Sequence, residues 1–145
     1  MERVFVDTDI ILDLLASRDP FYSFAAELFS RADRHQVKLH VSTLCFANLH
    51  YLLSRQLGPF KAKNTLLQLK ALVTTLPVLD KTIELALASD FRDFEDAIQY
   101  YCALEHSIPI LLTRNLRDYQ NCYMSILTAE EYLKSRKWRD GEEEA

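Results

Sequence analysis

The stretch Val4-Phe5-Val6-Asp7-Thr8-Asp9-Ile10-Ile11-Leu12-Asp13-Leu14-Leu15 decides how the rest of the chain is read. Its first three residues are β-branched or aromatic and make a short strand, and the residues after Asp7 pass into a helix. In an open parallel sheet the position after a strand is its carboxyl end, where ligands bind in the crevice at a reversal of strand order. Asp7 therefore stands where a reactive acid belongs. Asp9 and Asp13 add two more anions to the same passage, although helix capping accounts for either of them without any chemistry.

Further apolar runs fall at residues 38–41, 75–79, 110–112 and 125–127, and most of the intervals between them are long enough for helices. That alternation predicts five parallel strands joined by helical crossovers, an α/β fold. Phe24, Ala25, Leu28, Phe29 and Ala32 recur at helical spacing after the turn at Asp19-Pro20. Ser42 or Thr43 is expected to cap a helix that ends at Gly58, and Pro59 suits the first turn of the next. Asp80 is expected to cap a helix over 81–89, another follows over about 93–106, and Thr128 with Glu131 forms a capping box before the last. The order read from these signals is β-α-α-β-α-α-β-α-α-β-α-β-α.

A chain of 145 residues suits one domain, able to hide roughly 70% of its unfolded surface. With 49% apolar residues and only two glycines it is a packed globule rich in helix, not a disordered polymer. Nothing divides it, so one domain over 1–138 is expected, followed by an acidic, disordered tail over 139–145. That tail carries four of the acidic groups, and without it the formal charge of −4 falls to about neutral. Charge thus permits a nucleic-acid partner without arguing for one. Cys45, Cys102 and Cys122 are odd in number and widely spaced, which suits reduced thiols. The N-terminus turns acidic at Asp7 before a signal sequence could form, and no run approaches the roughly 20 apolar residues of a membrane span. A cytoplasmic protein without membrane attachment is expected.

Asp93 and Asp96 lie three apart at the start of a helix whose continuing face, Tyr100, Ala103 and Leu104, is apolar. Asp96 is therefore directed toward the core near a strand end, where an unpartnered anion costs several kcal/mol. A metal ion is the best single compensation. Asp118 follows the fourth strand, where Thr113 and Asn115 offer neutral oxygens, and the alternative for Asp118 is an ion pair with Arg114. Carboxylates converging from separate strand ends repel one another, and a divalent cation relieves that repulsion. Mg²⁺ or Mn²⁺ prefers such oxygen ligands and keeps waters able to act as nucleophile, which outlines a phosphodiester-hydrolysing site.

With these pieces in order, the chain resembles the PIN domain family, including VapC-type toxins of bacterial toxin–antitoxin pairs. The resemblance rests on residues 4–15, on Val41-Ser42-Thr43-Leu44 leading into a helix, on Asp93-Phe94-Glu95-Asp96-Ala97, and on Leu112-Thr113-Arg114-Asn115-Leu116-Arg117-Asp118-Tyr119. It implies a three-layer α/β/α fold, a Mg²⁺- or Mn²⁺-dependent endoribonuclease, pairing into a homodimer, and an antitoxin protein as partner. Asp7, Asp96 and Asp118 match the family's acidic catalytic and metal-site residues, and Thr113 its hydroxyl position. Two positions depart: Asn48 stands where many members carry Glu, and Asn115 where others carry Asp. Each amide removes a charge, which Asp93 and Asp9 are candidates to restore. RNA along the strand ends would meet Arg18, Arg55, Lys61, Lys63 and Arg114, with Tyr22 or Tyr119 for base stacking.

Two rivals stand beside this reading. A catalytically silent PIN-like module that binds RNA or protein is favoured by Asn48, and Asp7-Thr8-Asp9 after a strand is similar to the nucleophile motif of haloacid-dehalogenase-type phosphatases. Cys102 with His106, and His40, Cys45 and His50, mimic fragments of a zinc site but lack a complete set at suitable spacing.

Overall fold

The structure, a computed structural model, describes residues 1–119 and 122–139. Most of the tail expected over 139–145 lies outside the described residues. Among them the sheet has five strands, β1 (Arg3–Val6), β2 (Lys38–Ser42), β3 (Thr74–Leu76), β4 (Ile110–Leu112) and β5 (Ser125–Leu127). All neighbours pair in parallel, in the order β3-β2-β1-β4-β5. The chain steps outward from β1 to β3 and then crosses to β4 on the other side. The reversal of order lies between β1 and β4, so Asp7 and Thr113 face the crevice at that switch point.

The central strands β1, β2 and β4 are buried on both faces, and the edge strands β3 and β5 only in part. Val4 and Val6 point into one cluster with Leu39, Val41, Ile110 and Leu112, while Phe5 and Leu111 point into another. Helices α1 (Thr8–Leu15), α2 (Tyr22–Asp33), α3 (Thr43–Leu57), α4 (Pro59–Leu72) and α7 (Ala129–Ser135) cover the first face. Helix α6 (Phe94–Glu105) covers the second, with α5 (Asp80–Ala88) packed beside it. The result is the three-layer α/β/α arrangement expected, in the expected element order.

Local chemistry departs from expectation at three places. β3 ends at Leu76 rather than at residue 79, because Pro77 has no N–H to give to a ladder. Asp80 is the first residue of α5, not its cap. Leu79 holds the cap position, and its N–H donates to Thr82 Oγ1 at 3.1 Å. Ser42 occupies the N-cap of α3 without capping it, and the Thr43 hydroxyl accepts instead from Val78 N–H at 3.1 Å. Gly58 ends α3 at φ 82, a conformation that glycine adopts without steric cost.

Candidate metal centre

Asp7 closes β1 and caps α1. Its Oδ1 accepts from the Thr8 N–H at 2.7 Å, while Oδ2 accepts from the Thr113 hydroxyl at 2.8 Å and from the Tyr119 hydroxyl at 3.3 Å. With 6% of its surface exposed, burial raises its carboxyl above the ordinary range against the opposing pull of these donors. Tyr119 is itself 2% exposed. This corrects the expectation of a base-stacking ring: the tyrosine is a buried donor to Asp7. Thr113 also accepts from the Asn115 N–H at 3.0 Å. Thr113→Val removes both bonds in a fully buried setting, so a loss of about 2 kcal/mol in urea denaturation is expected. Thr113→Ser should lose less than half of that, and equal losses for the two would mean that the methyl, not the hydroxyl, matters.

Helix α6 carries the next acids. Asp93 is its N-cap, with Oδ1 accepting from the Asp96 N–H at 3.0 Å. One turn in, Asp96 is 8% exposed, and its carboxyl is pushed up to about 8 by burial and then by the charges of Asp7 and Asp93. A further turn places Gln99, 2% exposed, where its Oε1 accepts from the Ser42 hydroxyl at 2.5 Å and its Nε2 donates to Thr8 Oγ1 at 3.0 Å. This buried relay ties the end of β2, α6 and the start of α1 together, so the register of α6 over the strand ends is fixed and Asp96 with it.

Asp118 enters from the opposite side on the 3₁₀ turn Leu116–Tyr119 that follows β4. Asn115 stands between the two helical acids, its Nδ2 donating to Asp96 Oδ2 at 3.4 Å and in close contact to Asp118 Oδ2. The amide thus offers a donor where a further carboxylate would add repulsion. One ligand oxygen each from Asp93, Asp96 and Asp118 lie within 4.8 Å of one another. Ligands on one octahedral ion at about 2.1 Å are about 3.0 Å apart when adjacent and about 4.2 Å apart when opposite. Small side-chain adjustments bring these oxygens onto one hard cation, and the crowded, partly buried anions supply the reason to take one. The residues present fit Mg²⁺ or Mn²⁺.

Among the described residues this close set contains Asp93 rather than Asp7. Asp96 and Asp118 of the expected trio meet and Asp93 joins them, while Asp7, whose charge acts on Asp96, has both oxygens hydrogen-bonded. Asp9 in the first turn of α1 is half-buried with one oxygen unpartnered, and burial and the Asp7 charge push it up to about 7. Asn48 projects from α3 and donates to Glu95 Oε2 at 3.2 Å. Glu95, an exposed residue that no local signal marks, thereby has its carboxylate beside the amide, outside the three that converge.

The expected RNA contacts fare unevenly. Arg114 is committed to Asp13, Nε to Oδ2 at 2.8 Å, and its guanidinium lies 4.3 Å from the Phe21 ring centre. It does not pair with Asp118, and Asp13 is an ion-pair partner rather than a cap. Arg55 lies about 18 Å along α3 from Thr43 and so away from the carboxyl edge, with its guanidinium over Tyr51. Arg18 is exposed beyond the far end of α1. His106 turns back to the Cys102 carbonyl at 2.8 Å, and among the described residues neither it nor any other histidine or cysteine joins a metal-binding group.

The family model described as PIN domain matches residues 3–117. Ribonuclease VapC1 of Aquifex aeolicus (strain VF5) is 25% identical over 141 residues, covering 92% of this chain and 94% of that protein. Among solved structures, DNA-bound VapBC from Salmonella typhimurium superposes with a TM-score of 0.65 at 16% identity, over 89% of this chain and 99% of that one. VapC20 of Mycobacterium tuberculosis, described as a sarcin-ricin loop cleaving toxin, gives 0.60 at 20% identity over 74% and 86% of the two chains. At such identities the solved structures speak to the fold.

Proposed function

The chain belongs to the PIN domain family, and from that premise we propose that it is a metal-dependent endoribonuclease whose ion is held by Asp93, Asp96 and Asp118. The observation that carries this reading is the Asp96 carboxylate, buried at the carboxyl edge of the sheet within 4.8 Å of two other carboxylate ligands and without a cationic partner among its hydrogen bonds. A bound Mg²⁺ or Mn²⁺ there would neutralise charge developing on a phosphodiester and make a water more acidic.

The chain's own residues do the rest. Asp96 and Asp118 present oxygens from two different elements, and Asp93 holds the first turn of α6 against them. Asn115 spaces Asp96 from Asp118. Asp7, fixed by Thr113, Tyr119 and the α1 amide, adds a buried negative charge that acts on Asp96. Asp9, pushed up to about 7, takes up a proton near neutrality and limits the anionic crowding.

The names of the relatives support two extensions of the proposal for the domain over 1–138, the toxin of a toxin–antitoxin pair and a protein antitoxin as partner; a homodimer is proposed beside them on the family resemblance alone. Among the described residues no helix is long and apolar enough to cross a membrane, which agrees with action on cytoplasmic RNA. Cleavage of total RNA by the purified chain with Mn²⁺, compared with an Asp7→Asn/Asp96→Asn variant, tests the central reading. Equal cleavage by both would assign the activity to a contaminant.

Asn48 favours a silent module, but Glu95 weakens that rival by setting a carboxylate beside the amide. Glu95→Gln is expected to lower Mn²⁺ affinity about threefold in calorimetry at low salt, with the effect shrinking as salt screens this exposed group. An unchanged affinity at low salt would leave the amide uncompensated. The dehalogenase reading has less support, since that chemistry also needs a lysine at a strand end, and among the described residues none directly follows a strand. Turnover of a chromogenic phosphate monoester without RNA cleavage would restore it.

A further inference from the structure

Tyr123, just before β5, is 92% exposed, although an aromatic ring ordinarily gains by burial. Its backbone is anchored, because its N–H donates to the Tyr100 hydroxyl at 3.1 Å, while its ring is left to solvent. Tyr100 in turn packs against Phe91 and Tyr101 at ring separations of 5.4 and 5.0 Å. These rings border a cavity of about 370 Å³ that also contains Arg92, Arg117 and Asp118. Asp118 belongs to the candidate metal centre as well, so the cavity opens directly beside the carboxylates.

We propose that this cavity is a subsite for one unpaired RNA base next to the scissile phosphodiester, with Tyr123 as the stacking surface and Arg92 and Arg117 holding the adjoining phosphates. The inference rests on the ribonuclease reading and deepens it by assigning to this cavity, through Tyr123, Arg92 and Arg117, the base beside the carboxylates. The volume is near the lower end of small-ligand pockets, enough for a nucleotide and too little for a duplex. An aromatic face accepts any base, and a guanidinium fork matches a phosphate. Bases of a double helix are stacked inward and cannot enter, which selects loops and single strands.

Charge argues for stacking as the main source of affinity. Asp90 and Asp118 offset the two arginines of the lining, and only a cation on Asp118 leaves the cavity net positive. Binding of metal-free protein should therefore depend weakly on salt compared with proteins that neutralise many phosphates.

The test uses a short single-stranded RNA carrying 2-aminopurine, titrated with the full chain in EDTA. Fluorescence should be quenched by the wild type and by Tyr123→Phe, whereas Tyr123→Ala should lose most of the quench and bind about tenfold more weakly. Arg92→Ala/Arg117→Ala should weaken binding and flatten its salt dependence further. A wild-type-like quench by Tyr123→Ala, equal binding of the fully paired duplex, or no quench by the wild type would each overturn the subsite. Mn²⁺-dependent cleavage of the same RNA is read in parallel: cleavage without a Tyr123-dependent quench sinks the subsite and leaves the nuclease. A Tyr123-dependent quench without cleavage supports the subsite and sinks the nuclease.

Discussion

Replacing Asp96 by asparagine is expected to reduce Mn²⁺-dependent RNA cleavage by at least about 100-fold while making the metal-free protein more stable at pH 8. The stability half follows from the proton linkage of a carboxyl held at about 8 in the fold against an ordinary value of 3.8. Below the ordinary value the group is protonated in both states and contributes nothing. As pH rises from there toward 8, the unfolded chain releases its proton and the folded chain keeps it, so stability is lost progressively, with the full cost present above about 8. Asp9 at about 7, and Asp7 with its raised value, act with the same sign.

Asparagine removes that cost, and the variant should melt a few °C above the metal-free wild type at pH 8, with the gap closing toward pH 5. Saturating Mn²⁺ should invert the order, because an ion that binds only the folded state stabilises by mass action and the variant has lost a ligand. Scanning calorimetry at two pH values, with and without Mn²⁺, reads all four cases. If Mn²⁺ raises both proteins equally, Asp96 is not a ligand and the proposed centre is wrong.

What was legible in the sequence follows the range of the interaction concerned. The capping box of Thr128 and Glu131 is formed by residues three apart, and the structure makes both of its bonds, at 2.9 and 3.1 Å. Strand β1 and the position of Asp7 after it were readable because an apolar run and its end are local properties. Asp96 was readable because helical periodicity sets which face it shares. The relay from Ser42 through Gln99 to Thr8 was not, since its partners are 57 and 91 residues apart and each looks in sequence like an ordinary polar residue or cap. Ser42 was assigned to its own helix because nothing local shows that a buried glutamine will claim its hydroxyl. Tyr119 was given to the solvent for a similar reason: the acceptor that draws it inward is Asp7, 112 residues away. Which carboxylates close to within one ion's reach is likewise decided by the 3₁₀ turn that carries Asp118 and by the cap geometry of Asp93, features that periodicity does not encode.

Arg114→Ala is expected to cost about 2–4 kcal/mol, lowering the melting temperature by about 10 °C. Asp13 is 1% exposed, and its second carboxylate oxygen has no partner, so its ion pair with Arg114, helped by the charge of Arg18, is what offsets the burial that raises its carboxyl. Deleting the guanidinium leaves a buried anion with only the charge of Arg18 to offset it, which places the cost near that of breaking a buried pair; the Arg114 side chain's 29% exposure tempers it. Loss of the stack on Phe21 adds to it. Arg114→Lys should recover only part, because an ammonium neither stacks nor donates through a planar fork. Asp13→Asn/Arg114→Ala should be more stable than Arg114→Ala alone, since the stranded charge has gone, and the double-mutant cycle isolates that coupling. Acidification should also rescue Arg114→Ala, because protonating Asp13 removes the same charge. Activity lost in Arg114→Ala must therefore be compared at a temperature where the variant is folded. An unchanged melting temperature with weakened RNA binding would return Arg114 to phosphate contact, as one of the cations expected along the strand ends.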